Sequence, residues 1–243
     1  MSGRYIHARA IQGNEGVSIC AVGVPDGDLT HIADQILAPE ESIRFRSSGD
    51  RARISYIAGR LAAKMAADAF LQMPSLRDIC IRNGLQGNPL LLHKDYDVTL
   101  SHSKYLAVSL CHLRDIILGV DVEYIDNLRQ KKIVDSIFFR RNGVHFENSP
   151  TGNCVLWTLL EATAKYLKTG IPRNNSEIFD VESSEIIGNG VLLSNLKYFP
   201  SMTAVSMVYE KTVISICASR AVPHSCFSQL LLDPEVGKII NTT

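Results

Sequence analysis

Three short stretches in the first half of this sequence recur in its second half, and this repeat constrains the fold more than any other feature. Each match is weak alone, but two pairs are separated by 101 residues and the third by 97. Agreement of this kind predicts two similar subdomains built from the same elements. The pairs are 87–92 with 188–193, 60–64 with 161–165, and 107–110 with 204–207.

Each half also contains one long helix-forming segment. The segment from Asp50 to about Leu71 is rich in alanine and leucine, with Asp50 as its N-cap and Pro74 as its stop signal. The second long helix is predicted over 153–169, where a glycine and a proline follow. Because the two helices fall in different halves of the repeat, we expect one in each subdomain.

Short β-branched segments surround the long helices. Strands are predicted at 17–24, 79–82, 90–92, 98–100, 106–111, 116–124, 177–181, 191–198, 204–210 and 212–219. Shorter helices are predicted at 33–43, broken at Pro39, and at 129–139, whereas the tail after Val222 has no clear signal. We predict an α+β fold with α/β-type lobes. It is a pseudo-dimer of two similar subdomains, 1–114 and 115–243, each a long helix packed on a mainly antiparallel sheet.

Composition excludes several classes of protein. Lys+Arg and Asp+Glu both number 25, which argues against the basic excess of a non-specific nucleic-acid binder. No apolar run reaches the roughly 18 residues of a membrane span, and the start of the chain has no signal-peptide pattern. The six cysteines have no C-x-x-C spacing. We therefore expect a cytoplasmic protein with reduced thiols that binds neither membrane nor nucleic acid.

The first candidate for chemistry is the segment Gly119-Val120-Asp121-Val122-Glu123. Side chains alternate along a strand, so Asp121 and Glu123 share one face. Two adjacent carboxylates repel each other unless a cation lies between them, and a hard divalent ion such as Mg²⁺ binds such oxygens. The strand is otherwise apolar, yet an exposed polar face explains a bare D-x-E motif equally well.

The second candidate is the predicted helix at 153–169. Its spacing places one apolar, core-facing stripe at Leu156, Leu160, Thr163 and Leu167. A different face carries Glu161 and Lys165 together with Trp157, Thr158 and Lys168. By themselves Glu161 and Lys165 form an ordinary i,i+4 pair on a solvated face, worth about 0.2–0.5 kcal/mol. Beside Asp121 and Glu123 they would supply a third carboxylate and a phosphate-binding cation.

Two further groups of residues could bind phosphate. Ser101 and His102, where a predicted strand runs into a loop, could donate hydrogen bonds to it, although a polar turn explains them equally well. A basic cluster could form charge-assisted bonds to phosphate, but for most of its members a solvated helix face is the stronger interpretation. The cluster consists of Arg44, Arg46, Arg51, Arg53, Arg60 and Lys64.

Taken in order, these segments resemble the Sfp-type 4′-phosphopantetheinyl transferases. That family has a G-K-P element, then S-H-S, then G-[IV]-D-[IV]-E, then W-[ST]-x-K-E-[AS]-x-x-K. The sequence reads GNP at 87–89, SHS at 101–103, GVDVE at 119–123 and WTLLEATAK at 157–165. The similarity spans about 87–170, and the helix at 50–71 fits the family's N-terminal half. Order, spacing and residue types together make it specific.

The resemblance implies the activity and its partners. A family member moves the phosphopantetheine arm of coenzyme A to a serine of an apo acyl or peptidyl carrier protein and releases 3′,5′-ADP. The family's site lies between two α/β lobes, which agrees with the repeat. The implied cofactor is Mg²⁺, with Mn²⁺ as the alternative ion, coenzyme A is the co-substrate, and one chain forms the whole pseudo-dimer as a monomer.

The resemblance also implies residue roles. Asp121, Glu123 and Glu161 would hold the metal, and Glu161 would be the base for the carrier serine, with a water held by Glu123 as the rival base. Lys165 would stabilise charge on the phosphates. At the other end of coenzyme A, Ser101 and His102 would contact the 3′-phosphate, and Pro89 would pack near the adenine. Arg51 or Arg53, together with Arg82, would bind further phosphate oxygens.

Two positions depart from the family pattern. Leu160 stands where the family has a lysine beside the metal-binding glutamate, and Asn88 replaces the lysine of G-K-P. Each change removes a cation that could face phosphate. A non-catalytic paralogue that binds coenzyme A or a carrier protein therefore remains an alternative. A metal-dependent nuclease, suggested by D-x-E with E-x-x-x-K, is a weaker one because of the zero net charge.

Overall fold

The chain forms helices and antiparallel strands in the segments where its apolar residues are regularly spaced. The structure is a computed structural model that describes residues 7–13, 16–23, 30–85, 87–104, 106–126, 149–171, 179–187 and 190–242. Within them lie the helices α1 (Thr30–Ile36), α2 (Pro39–Ser47), α3 (Asp50–Leu71), α4 (Pro150–Leu167), α5 (His224–Leu231) and α6 (Pro234–Thr242). The strands are β1 (His7–Gln12), β2 (Val17–Gly23), β3 (Ile81–Asn83), β4 (Pro89–Leu91), β5 (Tyr96–Ser103), β6 (Leu106–Leu113), β7 (Leu118–Tyr124), β8 (Val181–Ile187), β9 (Val191–Leu196), β10 (Met202–Val208) and β11 (Thr212–Ser219).

Contacts within the chain divide it into two units, Met1–Asp115 with Asp233–Thr243, and Ile116–Leu232. The boundary lies beside the predicted one near Arg114. The final segment packs with the first unit, where α6 lies against β1 and β2, whereas the sequence analysis assigned everything after 114 to one lobe.

In the first unit, α3 packs on an antiparallel sheet of order β1-β2-β6-β5. The helix face toward the sheet is made largely of alanine, with Ala62, Ala63, Ala66 and Ala67 fully buried. Small side chains let the helix backbone approach the sheet closely, and apolar burial stabilises the layer by about 25 cal/mol per Å². A ribbon of β3 and β4 continues beside β5.

In the second unit, α4 packs on an antiparallel sheet of order β7-β11-β10-β9-β8. Helix α4 is capped by Ser149, whose side chain accepts a hydrogen bond from the Gly152 N–H at 3.0 Å. The short helix α5 lies against β10, and the Tyr209 hydroxyl donates to the Leu231 carbonyl at its end (2.7 Å). Cys154, Leu159 and Ala162 of α4 are among the residues that form the core with the sheet.

The α+β prediction is confirmed, since each unit is a long helix on an antiparallel sheet. In the first sheet, β2, β6 and β5 lie side by side in the same order as β7, β11 and β10 in the second sheet, so these strands are equivalent in the two units. Two of the three sequence matches join equivalent elements, α3 with α4 and β4 with β9. The third is wrong, because 107–110 lie in β6 and 204–207 in β10, which occupy different places in their sheets.

Several boundaries differ from the predictions. Asp50 is the first residue of α3, whose N-cap is Gly49, and α4 starts three residues before its predicted start. Pro39 begins α2, so the segment predicted as one broken helix forms two. Strand β1 and helices α5 and α6 were not predicted, and the helix predicted at 129–139 lies outside the described residues. In the part of the chain that the structure describes, no helix is both long and apolar enough to cross a membrane.

Candidate active site

Strand β7 and helix α4 touch at Gly119. A Cβ built on this glycine would lie 2.0 Å from the Ala162 carbonyl oxygen and 2.6 Å from the Tyr166 amide nitrogen. Real Cβ atoms do not approach backbone so closely, so only glycine permits this contact between strand and helix. The glycine of the G-V-D-V-E segment therefore fixes which face of β7 meets α4.

Asp121 and Glu123 lie on the same face of β7 as Gly119, because they are two and four residues further along the strand. The Asp121 side chain is 5% exposed and Glu123 is half-buried. The strand is buried and apolar as predicted, since Val120 and Val122 are completely buried, and both acids lie within it.

Lys165 of α4 reaches back to this strand. Its Nζ lies 2.8 Å from Asp121 Oδ1 and donates a second hydrogen bond to the Val120 carbonyl at 3.0 Å. The lysine side chain is 29% exposed, so it links a buried carboxylate to solvent. A charge-assisted bond of this length is stronger than a neutral one and fixes the position of the Asp121 side chain.

Glu161 is half-buried and lies one helical turn before Lys165, so both side chains leave α4 on the same side. The predicted core stripe is right for Leu156, Leu160 and Thr163, but Leu167 is 36% exposed. Trp157 and Thr158, predicted on the polar face, are buried. Every residue of α4 from Gly152 to Leu160 is buried, whereas Lys165, Tyr166 and Leu167 are partly or fully exposed, so burial depends here on position along the helix as well as on its faces.

The three carboxylates suit a hard divalent cation in their donor type. Among the described residues, however, no three His, Cys, Asp or Glu side chains converge closely enough to hold a metal ion. Asp121, Glu123 and Glu161 therefore offer the right oxygens without forming a ready-made cluster. Rotation of the two longer, half-buried glutamate side chains would be needed to gather them.

In the first unit, the middle of α3 lies near His102 and is linked through Asn83 to the strand position of Pro89, and both residues are predicted to contact coenzyme A. Gly59 faces β5, where His102 Cδ2 lies 4.0 Å from the position that a Cβ would take. The next residue, Arg60, donates to Asn83 Oδ1 at 2.7 Å, and Asn83 is the register partner of Pro89. Ser101 is buried whereas His102 is exposed, as expected for neighbours on a strand.

The arginines predicted to bind phosphate have other contacts. Arg53 donates to the carbonyls of Phe45 and Arg46 at the end of α2 (3.2 and 2.8 Å). Arg82 forms a two-pronged, exposed contact with Glu40 (3.2 and 3.3 Å), which raises the pKa of Arg82 above its ordinary value. The side chain of Arg51 lies outside the described residues. In the structure, Arg53 therefore binds the C-terminal end of α2, and Arg82 is paired with Glu40.

Sequence reasoning missed a buried ionic cluster in the first unit. Lys64 and Arg60, considered members of a solvated face, are buried, with Lys64 Nζ 2.6 Å from Glu41 Oε2 and Arg60 Nε 3.3 Å from Glu41 Oε1. Burial lowers the pKa of Lys64 below its ordinary value, although Glu41 acts in the opposite direction. The alanines on both sides of Lys64 were the available signal that this helix face is covered.

Comparison with known proteins connects this geometry to a family. No family model matches the chain. A holo-[acyl-carrier-protein] synthase from Anoxybacillus flavithermus is 34% identical over 85 residues, which are 31% of this chain and 71% of that protein. The chain is a phosphopantetheinyl transferase family member. That assignment rests on the share of the relative that is matched and on its identity.

Two solved structures are similar to parts of the transferase. A holo-(acyl-carrier-protein) synthase from Bacillus anthracis, in complex with CoA (3′,5′-ADP), is 28% identical, with 41% of this chain and 95% of that chain covered and a TM-score of 0.37. Thermotoga maritima holo-[acyl-carrier-protein] synthase is 31% identical, with 43% and 68% covered and a TM-score of 0.34. These TM-scores are too low for an argument from the superposed structures.

The two units of the transferase differ at the positions of the acids. In the first unit, Cys20 and Val22 of β2 take the places that Asp121 and Glu123 hold in β7, as the register shows: Cys20 pairs with Ser109, and Asp121 pairs with Ser215. The first unit therefore lacks the carboxylates of the second on the equivalent strand.

The departures from the family pattern have different surroundings. Leu160 is 5% exposed and belongs to the core of its unit, so the family's lysine is replaced here by a packing residue. Asn88 follows Gly87, whose φ of +81° suits glycine, and the Asn88 carbonyl accepts from the Gly84 N–H at 2.8 Å.

Proposed function

We propose that this protein is an Sfp-type enzyme that transfers 4′-phosphopantetheine from coenzyme A to a serine of an apo acyl or peptidyl carrier protein and releases 3′,5′-ADP. The observation that carries the proposal is the contact of Lys165 with buried Asp121, on the strand face where Glu123 also lies. Family membership supports phosphopantetheinyl transfer, and two units in one chain support the Sfp type.

Asp121, Glu123 and Glu161 would hold Mg²⁺, since carboxylate oxygens are its preferred protein ligands. The ion would neutralise charge that builds on the pyrophosphate during transfer. Asp121 suits this role because Lys165, 2.8 Å away, holds its side chain on the strand face that Glu123 shares. The two glutamates are longer and half-buried, so they can turn toward a phosphate-bound ion.

Lys165 would stabilise the same charge from the protein side. Its ammonium group has 29% exposure and, within the part of the chain that the structure describes, two acceptors on β7, which leaves a third N–H to bind a phosphate oxygen. The strand therefore orients the lysine while the ligand receives its remaining hydrogen bond.

In the reaction, the carrier serine oxygen attacks the β-phosphorus of coenzyme A, and the bond to the bridging oxygen breaks as 3′,5′-ADP leaves. A serine hydroxyl is a poor nucleophile until a carboxylate accepts its proton. Glu161 would be that base, on the same side of α4 as Lys165, and a water held by Glu123 is the rival acceptor.

Residues of the first unit would contact the rest of coenzyme A. His102 is exposed beside Gly59, and Pro89 lies opposite Asn83, so Pro89 would pack near the adenine and His102 would bind the 3′-phosphate, with Ser101 behind it. Arg82 would have to leave Glu40 to bind phosphate, and Arg53 would have to leave α2. Among the arginines, Arg51 therefore remains a proposal from the sequence alone.

The experiment is incubation with coenzyme A, Mg²⁺ and a panel of apo-carrier proteins, followed by mass spectrometry. We expect one or more carriers to gain the phosphopantetheine mass, and Asp121→Asn to abolish the gain while remaining folded. Asp180→Asn is the matched control, because Asp180 is a carboxylate of the same unit paired to Lys197 at 3.2 Å. Binding of coenzyme A without any transfer would favour the non-catalytic paralogue.

A further inference from the structure

The helix and sheet of the second unit are joined by a chain of three buried hydroxyl groups. Thr158 Oγ1 of α4 lies 2.7 Å from Ser215 Oγ of β11, and Ser215 Oγ lies 2.8 Å from Ser206 Oγ of β10. All three side chains are completely buried. Burying hydroxyl groups costs free energy that their hydrogen bonds offset.

The direction of these hydrogen bonds follows from counting protons. Each hydroxyl has one hydrogen to donate. Thr158 donates its hydrogen to the Val155 carbonyl at 3.0 Å, so Ser215 donates to Thr158 and Ser206 donates to Ser215. Of the bonds among these three hydroxyl groups, the one from Ser215 to Thr158 is therefore the bond that joins α4 to the sheet, and Ser206 supports it from the neighbouring strand.

This link lies beside the proposed active site. Ser215 is the register partner of Asp121, so the two side chains stand next to each other on the face that meets α4, with Cβ atoms about 4.5–5.5 Å apart. Thr158 lies one helical turn before Glu161. The bond from Ser215 to Thr158, together with the contact of Lys165 with Asp121 (2.8 Å), thus ties the helix that carries Glu161 and Lys165 to the sheet position of Asp121.

The first unit lacks this bond at the equivalent positions and joins its helix to its sheet in a different way. At the position equivalent to Thr158, 101 residues earlier, α3 has Ile57, which is buried. Ser109, the equivalent of Ser215, donates instead to the Thr99 carbonyl at 2.8 Å, within its own sheet. The first unit instead joins its helix to its sheet through the Ser18 hydroxyl of β2, which donates to the Ala66 carbonyl of α3 at 2.6 Å, so the bond between Thr158 and Ser215 is a feature of the unit that carries the acids.

We infer that Thr158 and Ser215 are positioning residues, whose hydrogen bond sets the place of α4 along β7 and β11 and so the distance of Glu161 and Lys165 from Asp121. The inference rests on the proposed function. A shift of the helix by about 1 Å is enough to reduce catalysis by up to about 100-fold without any change in the reacting groups.

The test compares Thr158→Val, which removes the hydroxyl at nearly equal volume, with Thr158→Ser, which keeps it. Thr163→Val is the matched control, because Thr163 is also buried on α4 but donates its hydrogen to the Leu159 carbonyl (2.7 Å) on its own helix, and its contact with Cys217 Sγ of the sheet is long at 3.9 Å. The kcat and the KM for coenzyme A are measured for each variant with the responsive carrier protein, together with the melting temperature.

We expect Thr158→Val to lower kcat by about tenfold or more with a KM for coenzyme A within about twofold of the wild type, and Thr158→Ser to restore most of the loss. Ser215→Ala should repeat the defect, so the result does not depend on one variant folding. Ser206→Ala should be milder, because the bond from Ser215 to Thr158 survives. If Thr158→Val and Thr163→Val lose kcat equally at equal melting temperature, the positioning role is wrong. An inactive wild type would instead contradict the proposed function.

Discussion

Lys64 and Lys165 hold equivalent positions on the long helices of the two units, yet only Lys64 is sealed from solvent. Lys64 is fully buried, and its three donors have the Glu41 carboxylate, the Ile36 carbonyl (2.8 Å) and the Leu76 carbonyl (3.1 Å) as acceptors. Lys165 is 29% exposed and has two acceptors on β7. The same helix position therefore joins elements in one unit and faces the proposed site in the other.

The first prediction concerns Lys64. Lys64→Met leaves Glu41 buried with only Arg60 to balance its charge, so we expect a loss of about 3–5 kcal/mol in the free energy of unfolding. Urea denaturation followed by circular dichroism measures it. Lys94→Met is the control, since Lys94 is 87% exposed and 3.9 Å from Asp95, and it should cost less than about 1 kcal/mol. Equal stability of the two variants would contradict the structural role of Lys64.

The second prediction concerns Lys165. Lys165→Met should lower kcat by about 100-fold, because a cation that stabilises charge in the transition state is lost. Its effect on stability should be smaller than that of Lys64→Met, since water can reach Asp121 once the lysine is gone. Lys197→Met removes an exposed lysine of the same unit, paired with Asp180, and should retain full activity. A Lys165→Met enzyme with normal kcat would remove Lys165 from the chemistry.

The third prediction concerns Gly119. Gly119→Ala forces β7 and α4 apart, because its Cβ would overlap the Ala162 carbonyl. We expect a loss of about 3 kcal/mol in the free energy of unfolding, together with loss of transfer activity. At Gly49 nothing lies within 4 Å of an added Cβ, so Gly49→Ala should cost about 1 kcal/mol or less. Thermal melting of both variants, with the transfer assay, makes the comparison.

The fourth prediction concerns Leu160, where the family has a lysine. Because Leu160 packs in the core, Leu160→Lys should cost on the order of several kcal/mol and should not tighten the binding of coenzyme A. Leu160→Met conserves volume and should cost less than about 1.5 kcal/mol. Melting temperature and calorimetric titration with coenzyme A check both parts. A stable Leu160→Lys variant that binds more tightly would place this side chain at the ligand.

The fifth prediction concerns pH. Burial raises the pKa of the Cys217 thiol from 9.0 to about 12, so the folded state keeps its proton while the unfolded state loses it. The stability that this thiol contributes is complete below about pH 9 and is lost as the pH rises through about 12. We expect the free energy of unfolding to fall less steeply between about pH 9 and 12 in Cys217→Ala than in the wild type. Parallel curves under reducing conditions would contradict this assignment.

The same burial predicts selective chemistry at the cysteines. Cys111, whose pKa burial also raises to about 12, and the other buried thiols should resist alkylation in the folded protein. Cys80 is partly exposed and should react first with iodoacetamide, as peptide mass spectrometry would reveal.

Local patterns in the sequence were sufficient to predict much of the fold and the positions of the acids of the proposed site. The helix from Asp50 to Leu71 was predicted at both ends to within a residue, because alanine and leucine favour helix and Pro74 stops it. The shared face of Asp121 and Glu123 follows from strand alternation alone. These properties depend on a residue and its near neighbours in the chain, so they can be predicted from the sequence alone.

Only the tertiary structure decided which faces are covered and which groups meet. The sequence could not indicate that Lys64 is sealed by Glu41, that α6 packs on β1 and β2, or that Thr158 bonds Ser215, because each contact joins segments distant in the chain. The need for glycine at 119 likewise arises from the carbonyl of Ala162 on another element. Burial and ion pairing depend on what packs against a residue, and that is determined only when the helices and sheets assemble.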